Sequence, residues 1–358
     1  MIEKKYYYMM LIVCTFSNFI FYNTPYLITH ILDGAIVAIF IALIVILISS
    51  YAGIYVFNHF KNFTLVEINN ELLGKKFGSI ISFVSIILNF TSGYFMFMGL
   101  IEITRKFLLS TTNTWFLRIL LIIPVILVLL NTNKTFLYLL GYLGIIILVG
   151  IVMYYLLSIK ELRLTYIKGT LIHSLKMPNL PLISIASYFY VGVRHLQAFN
   201  TEFGKISYRK TMLIFILIGL PMALLTILIP VSFWGVETVR NIEHPWIASS
   251  DAIQVNLFFI ERGLYILFPL FLTLGSVQII LYTFVGKSLL YRMSINNKIK
   301  KGIIVAILIC YVTLGVFIRN TRQLTEMALV NMVISSFFTN ILFFILFFLT
   351  KRREKRNI

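Results

Sequence analysis

The sequence predicts an all-α integral membrane protein of about ten transmembrane helices, arranged as two inverted five-helix repeats with interrupted helices 1 and 6. Three observations predict it. Of the 358 residues, 59% are hydrophobic and only 12% charged, with mean hydropathy +0.93, whereas a soluble domain carries roughly 25% charged residues. The apolar residues fall into ten runs, near 7–30, 33–57, 77–101, 115–131, 135–157, 182–203, 210–232, 262–286, 302–318 and 328–350, close to the ~20 residues that a spanning helix needs. The first and sixth runs carry polar residues and helix breakers where lipid favours leucine. The chain reads as one membrane domain, with a first repeat over about 7–157, a second over about 182–350 and a basic tail at 351–358.

The net charge of +18 comes from 31 Lys and Arg against 13 Asp and Glu. In a soluble protein it would point to nucleic acid. Here the cations gather in loops, where they set orientation. With the N-terminus in the cytoplasm, cytoplasmic segments carry 19 cations and outer segments 11, and Arg194 completes the 31. This bias places both termini inside, although the 158–181 loop puts four cations outside. Cys14 and Cys310 both lie in apolar runs, so no disulfide framework is expected. No small-x-small cleavage site follows the first run, so no cleavable signal peptide is expected.

In chain order, the first run holds Thr15, Asn18 and Tyr22 on one face, followed by Asn23-Thr24-Pro25. Pro25 lacks a backbone donor and disfavours helix at Thr24. Such a break lines a cavity, or is a kink whose polar side chains bond neighbouring helices. Run 2 reads as a plain lipid-facing helix, and 58–76 as a short amphipathic helix ended by Gly74. Run 3 has a stripe of Ser82, Ser85, Asn89 and Ser92, a pattern that more often serves helix packing than ligands. Runs 4 and 5 are apolar, with Gly141 and Gly144 favouring close packing. Run 6 extends to LISIASYFYVGVRHLQAFNTEFG and places Ser187, Tyr190, Arg194, Gln197 and Thr201 on one face. Hydrocarbon cannot satisfy that stripe, so it faces a cavity or the protein interior. Arg194 is the deepest charge, free to meet a ligand carboxylate, to stand where a coupling cation would sit, or to pair with helix-end carbonyls or an acid.

Run 7 is expected to kink at Gly219 and Pro221. The outer loop 233–261 holds Trp234 and Trp246, suited to the membrane interface, with Glu237, Glu243, His244, Asp251 and Glu261. These acids and His244 lack metal-site spacing, so no metal is expected. Run 8 carries Thr273, Ser276 and Thr283 on one face, with Gln278 nearby. Runs 9 and 10 are apolar, Phe-rich and peripheral in character, and the tail KRREKRNI is a basic anchor for anionic lipid heads.

Two interrupted helices at corresponding positions of inverted halves point to a ligand site at the membrane midplane. Their ends offer N–H groups to an anion and carbonyls to an ammonium, which suits an amino acid. The candidate ligand-binding residues are Asn18, Tyr22, Asn23, Thr24, Asn89, Tyr190, Gly192, Arg194, Gln197, Thr273 and Ser276. No enzyme signature is visible: the five histidines are scattered, and no Ser-His-Asp, Cys-His or Gly-rich phosphate pattern has a plausible context. No catalytic residue or cofactor is expected. Glu102 and Glu202 sit only at helix ends, so no buried carboxylate relay is evident.

The chain resembles the spore germination permease family, the B subunits of endospore germinant receptors, within the amino acid–polyamine–organocation superfamily. The resemblance rests on Thr24-Pro25, Asp33-Gly34-Ala35, Thr64-Leu65-Val66-Glu67-Ile68 followed by Leu73-Gly74-Lys75-Lys76-Phe77-Gly78, Tyr188-Phe189-Tyr190-Val191-Gly192 running to Ala198-Phe199-Asn200, and Phe259-Ile260-Glu261-Arg262. Their order and spacing together carry it. Many family members have an acid shortly after the run 6 glycine, where this chain has Arg194-His195, and a Trp in run 8, where it has Phe268-Pro269. The resemblance implies a nutrient sensor in the inner membrane of a spore, binding a small nutrient between segments 1, 3, 6 and 8. It further implies assembly with a larger membrane subunit and a lipoprotein subunit, and no nucleic-acid partner. A stand-alone amino-acid permease and a structural subunit with a vestigial cavity are the alternatives.

Overall fold

A chain this apolar satisfies its backbone polar groups within helices. The computed structural model describes residues 2–18, 21–257, 260–318 and 320–356, and is helical nearly throughout. Phe19 and Ile20 of the first apolar run, Phe259 of the family motif and Arg319 of the charge count lie outside the described residues.

The first run divides into α1 (Lys4–Ser17) and α2 (Asn23–Thr29). The helix therefore stops upstream of the Asn-Thr-Pro triplet, and Thr24, where the sequence disfavoured helix, lies inside α2. Pro25 lies in the first turn of α2, where a missing N–H costs little. Helix α3 (Ala35–His59) begins after Gly34, whose φ of +95° favours glycine and whose Cα abuts the Lys176 carbonyl. The amphipathic α4 (Leu65–Leu73) opens on a Thr64–Glu67 capping box and closes at Gly74, φ +81°, as predicted. Then come α5 (Lys75–Phe107), α6 (Thr114–Leu129) and α7 (Asn133–Ser158). Gly141 and Gly144 of α7 let Tyr6 and Met9 of α1 approach closely, as their spacing suggested.

The 158–181 loop contains a further helix, α8 (Leu164–His173). The sixth run is broken more thoroughly than the first. It comprises α9 (Leu180–Ala186), a 3₁₀ stretch (Ser187–His195) and the single turn α10 (Leu196–Phe199). Tyr190 departs from helical geometry at φ −118°, ψ 19°. After α11 (Tyr208–Ile214), a π-helical turn (Phe215–Gly219) leads into α12 (Leu220–Trp234), the irregularity that Gly219 and Pro221 foretold. The outer loop folds into α13 (Val236–Val239), α14 (Pro245–Ala252) and a small antiparallel ribbon, β1 (Gln254–Leu257) with β2 (Ile260–Arg262), pairing Gln254 with Arg262. Helices α15 (Gly263–Arg292), α16 (Asn297–Thr313) and α17 (Thr321–Arg356) complete the chain.

Among the described residues, seven helices are long and apolar enough to cross a membrane: Ala35–His59, Lys75–Phe107, Asn133–Glu161, Tyr208–Trp234, Gly263–Arg292, Asn297–Phe317 and Thr321–Arg356. Helix α6 is a shorter apolar helix, and the other two predicted runs are the broken segments.

Ile2 and Glu354, near the two termini, lie on one side. The Ile2 N–H donates to the Glu202 carbonyl (2.8 Å). Asn200 Nδ2 reaches the carbonyls of Phe57, Phe60 and Phe63 (3.2, 3.0 and 2.9 Å). Tyr55 and His59 hold Glu354. Gly34, one helix length away from His59, abuts Lys176 on the opposite side. The first broken segment therefore leaves the side of the termini and the second returns to it, so the two run antiparallel.

Two sequence expectations are corrected. Helix α3 is not simply lipid-facing, because Ser49 and Ser50 are buried within the protein. Helix α17 is not merely peripheral. One side is exposed, but Ser335 is buried and the Ser336 hydroxyl bonds Ser187 (2.6 Å). Apolar composition hid both, since two or three small polar residues barely alter the hydropathy of a long helix.

Candidate functional site

At the break between α1 and α2 lies Asn18, which is fully buried. Its Nδ2 donates to the Cys14 carbonyl one turn back (3.0 Å) and to the Tyr188 carbonyl in the other broken segment (2.8 Å). Its Oδ1 accepts from Gln278 Nε2 of α15 (2.9 Å). One amide thus ties both broken segments to a third helix. The Tyr188 carbonyl is available because the chain leaves helical geometry at Tyr190. Gln278 Oε1 and the Tyr282 hydroxyl, one turn further along α15, are buried without partners among the described residues.

Arg194 lies beside this joint, 4% exposed. Its Nη1 meets the Tyr188 hydroxyl only at 3.5 Å, its guanidinium stands 5.9 Å from the centre of the Tyr282 ring, and its Nε has no partner. Among the described residues it makes no ion pair. A buried cation so weakly compensated is costly in a low-dielectric setting. Arg194 lines a cavity with Ser49 and Ser50 of α3, Ser187, and Ser335 and Ser336 of α17. Its volume of about 30 Å³ holds a water or two rather than a nutrient.

The remaining predicted residues separate into groups. The Tyr190 hydroxyl is buried and unpartnered, and its ring abuts Gly219 and Phe215 of the π-helical turn. Gly192 lies against Leu11, where an added Cβ would fall 2.7 Å from a Leu11 methyl carbon, so its small size serves the approach of α1. Gln197 and its neighbour His195 are buried, with Gln197 Nε2 and both His195 ring nitrogens unpartnered. Asn89 donates to its own helix at Ser85 (2.8 Å), leaving Oδ1 unpartnered. Thr273 donates to Pro269 within its own helix (2.8 Å). Thr273 and Ser276 are half-buried and line neither this cavity nor the next.

Tyr22 lines a second, larger cavity of about 410 Å³ on the side away from the termini, with Tyr26, Arg240, Glu243, His244 and Arg322. Its hydroxyl donates to the Phe95 carbonyl (3.0 Å). Just beyond it, both amide atoms of Asn23 and the Thr24 hydroxyl are buried and unpartnered. His244 is buried as well, which lowers its pKa to about 4 and keeps it neutral at pH 7.

Sequence reasoning missed the walls given by α3 and α17, and it valued Gln278 below Thr273 and Ser276. A signal was present in α17, where Asn331, Ser335 and Thr339 follow one another at i, i+4 and i+8 on one face.

Seven long apolar helices and two broken segments joined at a buried polar knot define an integral multi-pass membrane protein of transporter-like build. The chain belongs to the spore germination permease family: the family model described as spore germination protein matches residues 7–323. That family is permease- or receptor-like, not an enzyme family. No curated protein matches the chain.

Proposed function

We propose that this chain is the nutrient-binding membrane subunit of a spore germinant receptor, and that its ligand is a small molecule bearing a carboxylate, an amino acid. The observation that carries the reading is the Asn18 joint between the two broken segments, set beside a buried guanidinium without an anion. In this reading the ten apolar segments all span the membrane as two inverted five-helix repeats, and the antiparallel course of the broken segments supports it. The ligand carboxylate pairs with Arg194, and its ammonium meets carbonyls freed at the breaks. Both termini face the cytoplasm of the spore, on the side favoured by the Lys and Arg count. The cavity that Tyr22 lines is then the outer vestibule, and its volume falls in the range of about 300–1,000 Å³ common for small-molecule sites.

The inner cavity is too small for such a ligand, so binding selects an arrangement in which the joint has opened. That shift is passed to the larger membrane subunit and the lipoprotein subunit with which the chain assembles in the spore inner membrane.

The test is thermal unfolding of the purified chain, alone and co-expressed with its partner subunits, against a panel of amino acids, sugars and nucleosides. A ligand at 100 times its Kd stabilises by about 2.7 kcal/mol, and Arg194→Leu is expected to abolish that shift while still folding. A shift that survives in Arg194→Leu moves the site elsewhere, and no shift in either preparation overturns the reading. Uptake by the chain alone in liposomes would replace the receptor with a working permease.

A further inference from the structure

Glu102, near the end of α5, meets Glu243 and His244, from the turn before α14, so that one donor atom of each lies within 4.8 Å of the others. We propose that these three side chains bind a divalent first-row transition cation of the Mn²⁺ or Zn²⁺ kind at the mouth of the protein. The outer loop by itself lacks metal-site spacing. The third ligand comes from a helix about 140 residues earlier in the chain, which short-range pattern reading does not reach.

Two observations independent of the clustering point to a ligand. His244 is 7% exposed, and neither ring nitrogen has a partner among the described residues. A buried polar group left unsatisfied costs about 1–3 kcal/mol, and a metal bond relieves it. The Phe107 ring packs edge-on to the imidazole at 5.9 Å and fixes its plane. Glu102 Oε2 is likewise buried and unpartnered.

The surroundings admit an ion. Glu243 and His244 line the cavity of about 410 Å³, and Glu102 lines a neighbouring one of about 390 Å³. An ion at the wall between them has water for its remaining positions. Three donors bound tetrahedrally at about 2.0–2.2 Å stand about 3.3–3.6 Å apart, so loading draws the three side chains together by up to about 1 Å. One imidazole with two carboxylates suits Mn²⁺, Zn²⁺ and their neighbours better than Mg²⁺ or Ca²⁺, which favour oxygen alone, and the site offers no thiolate for Cu(I).

Nearby cations oppose loading. Lys106, half exposed, forms an ion pair with Glu243 Oε2. Arg105, Arg240 and Arg322 also line the two cavities, and Arg322 is paired with Glu326 (2.9 Å). The metal has to displace the Lys106 ammonium, so removing that ammonium should tighten binding. Once bound, the ion links α5 to the loop whose Arg240 donates to the Thr29 carbonyl at the end of α2 (3.0 Å). It thereby fastens three sides of the outer cavity.

The experiment uses the full chain purified through a tag without histidine and stripped with EDTA. MnCl2, ZnCl2, MgCl2 and CaCl2 are titrated while unfolding temperature and, after desalting, bound metal are recorded. Saturable binding of one Mn²⁺ or Zn²⁺ per chain is expected, with a raised unfolding temperature. Glu102→Gln and His244→Gln should weaken it by roughly tenfold or more, the scale of losses even outside the ligand shell, and Lys106→Met should strengthen it. Glu102→Gln is isosteric at a half-buried position, so it decides the matter should His244→Gln fail to fold. No saturable binding by the wild type, or the same affinity in Glu102→Gln, overturns the proposal. Neither result bears on nutrient binding at Arg194.

Discussion

Replacing Asn18 with alanine removes the partner of the Tyr188 carbonyl and of the Gln278 amide at once. Each buried group left unsatisfied costs about 1–3 kcal/mol, so Asn18→Ala should lower stability by about 2–4 kcal/mol in chemical denaturation of the detergent-solubilised protein. A loss below about 0.5 kcal/mol, the range of ordinary surface changes, would mean that the bridge does not hold the broken segments. Arg194→Leu should act in the opposite direction. Removing a buried charge that has only a 3.5 Å contact and one ring face leaves ligand-free stability unchanged or raised, by up to about 4 kcal/mol on the precedent of buried ion groups. A large loss instead would show that Arg194 already has a full set of partners. That Asn18 and Arg194 are special is legible in the sequence, since each is polar inside an apolar run. That Asn18 meets Gln278 is not, because 260 residues separate them and no local period encodes such a pairing. Thr273 and Ser276 illustrate the same gap. Their helical face is readable, but which face of α15 turns inward depends on neighbours the sequence does not name.

At the scale of elements, the breaks are the most legible feature and their positions the least. A proline marked the first break, yet the helix stops upstream, where Asn18 side-chain bonds take the place of helical continuity. The second carries no proline within the break itself. Its departure from helix at Tyr190 goes with a tyrosine ring lodged against the π-helical turn of the next segment, and π-helical turns recur at functional sites. Gly192→Ala tests the close approach of α1 there. A methyl group 2.7 Å from Leu11 overpacks the contact and should cost about 1–3 kcal/mol, measured as a lower unfolding temperature. If the variant is instead as stable as the wild type, α1 and the 3₁₀ stretch are free to separate. Helix α17 was read as peripheral because its phenylalanines outweigh its serines. Its polar face is nevertheless a wall of the inner cavity, and Ser336→Val, which deletes the bond to Ser187, should cost about 1 kcal/mol.

Over the whole molecule, composition alone settles the class, since no soluble fold accommodates this hydropathy. The antiparallel course of the two broken segments emerges only from contacts between distant residues, such as Ile2 with Glu202 and Gly34 with Lys176. Single cysteines placed at Lys5 and Lys355 of a cysteine-free variant should both react with a membrane-impermeant reagent from one side of oriented vesicles, and one at Arg240 from the other. Labelling of Lys5 and Lys355 positions from opposite sides would refute the arrangement. Because a single carboxamide fastens both broken segments to α15, neither can shift far alone: departure of either one strands the same amide. The two broken segments therefore share a common threshold. If the proposed receptor role holds, spores that differ only at the glutamine facing Asn18 would wake at different nutrient levels while keeping the Arg194 contact, and natural selection could adjust dormancy without altering what the cell recognises as food.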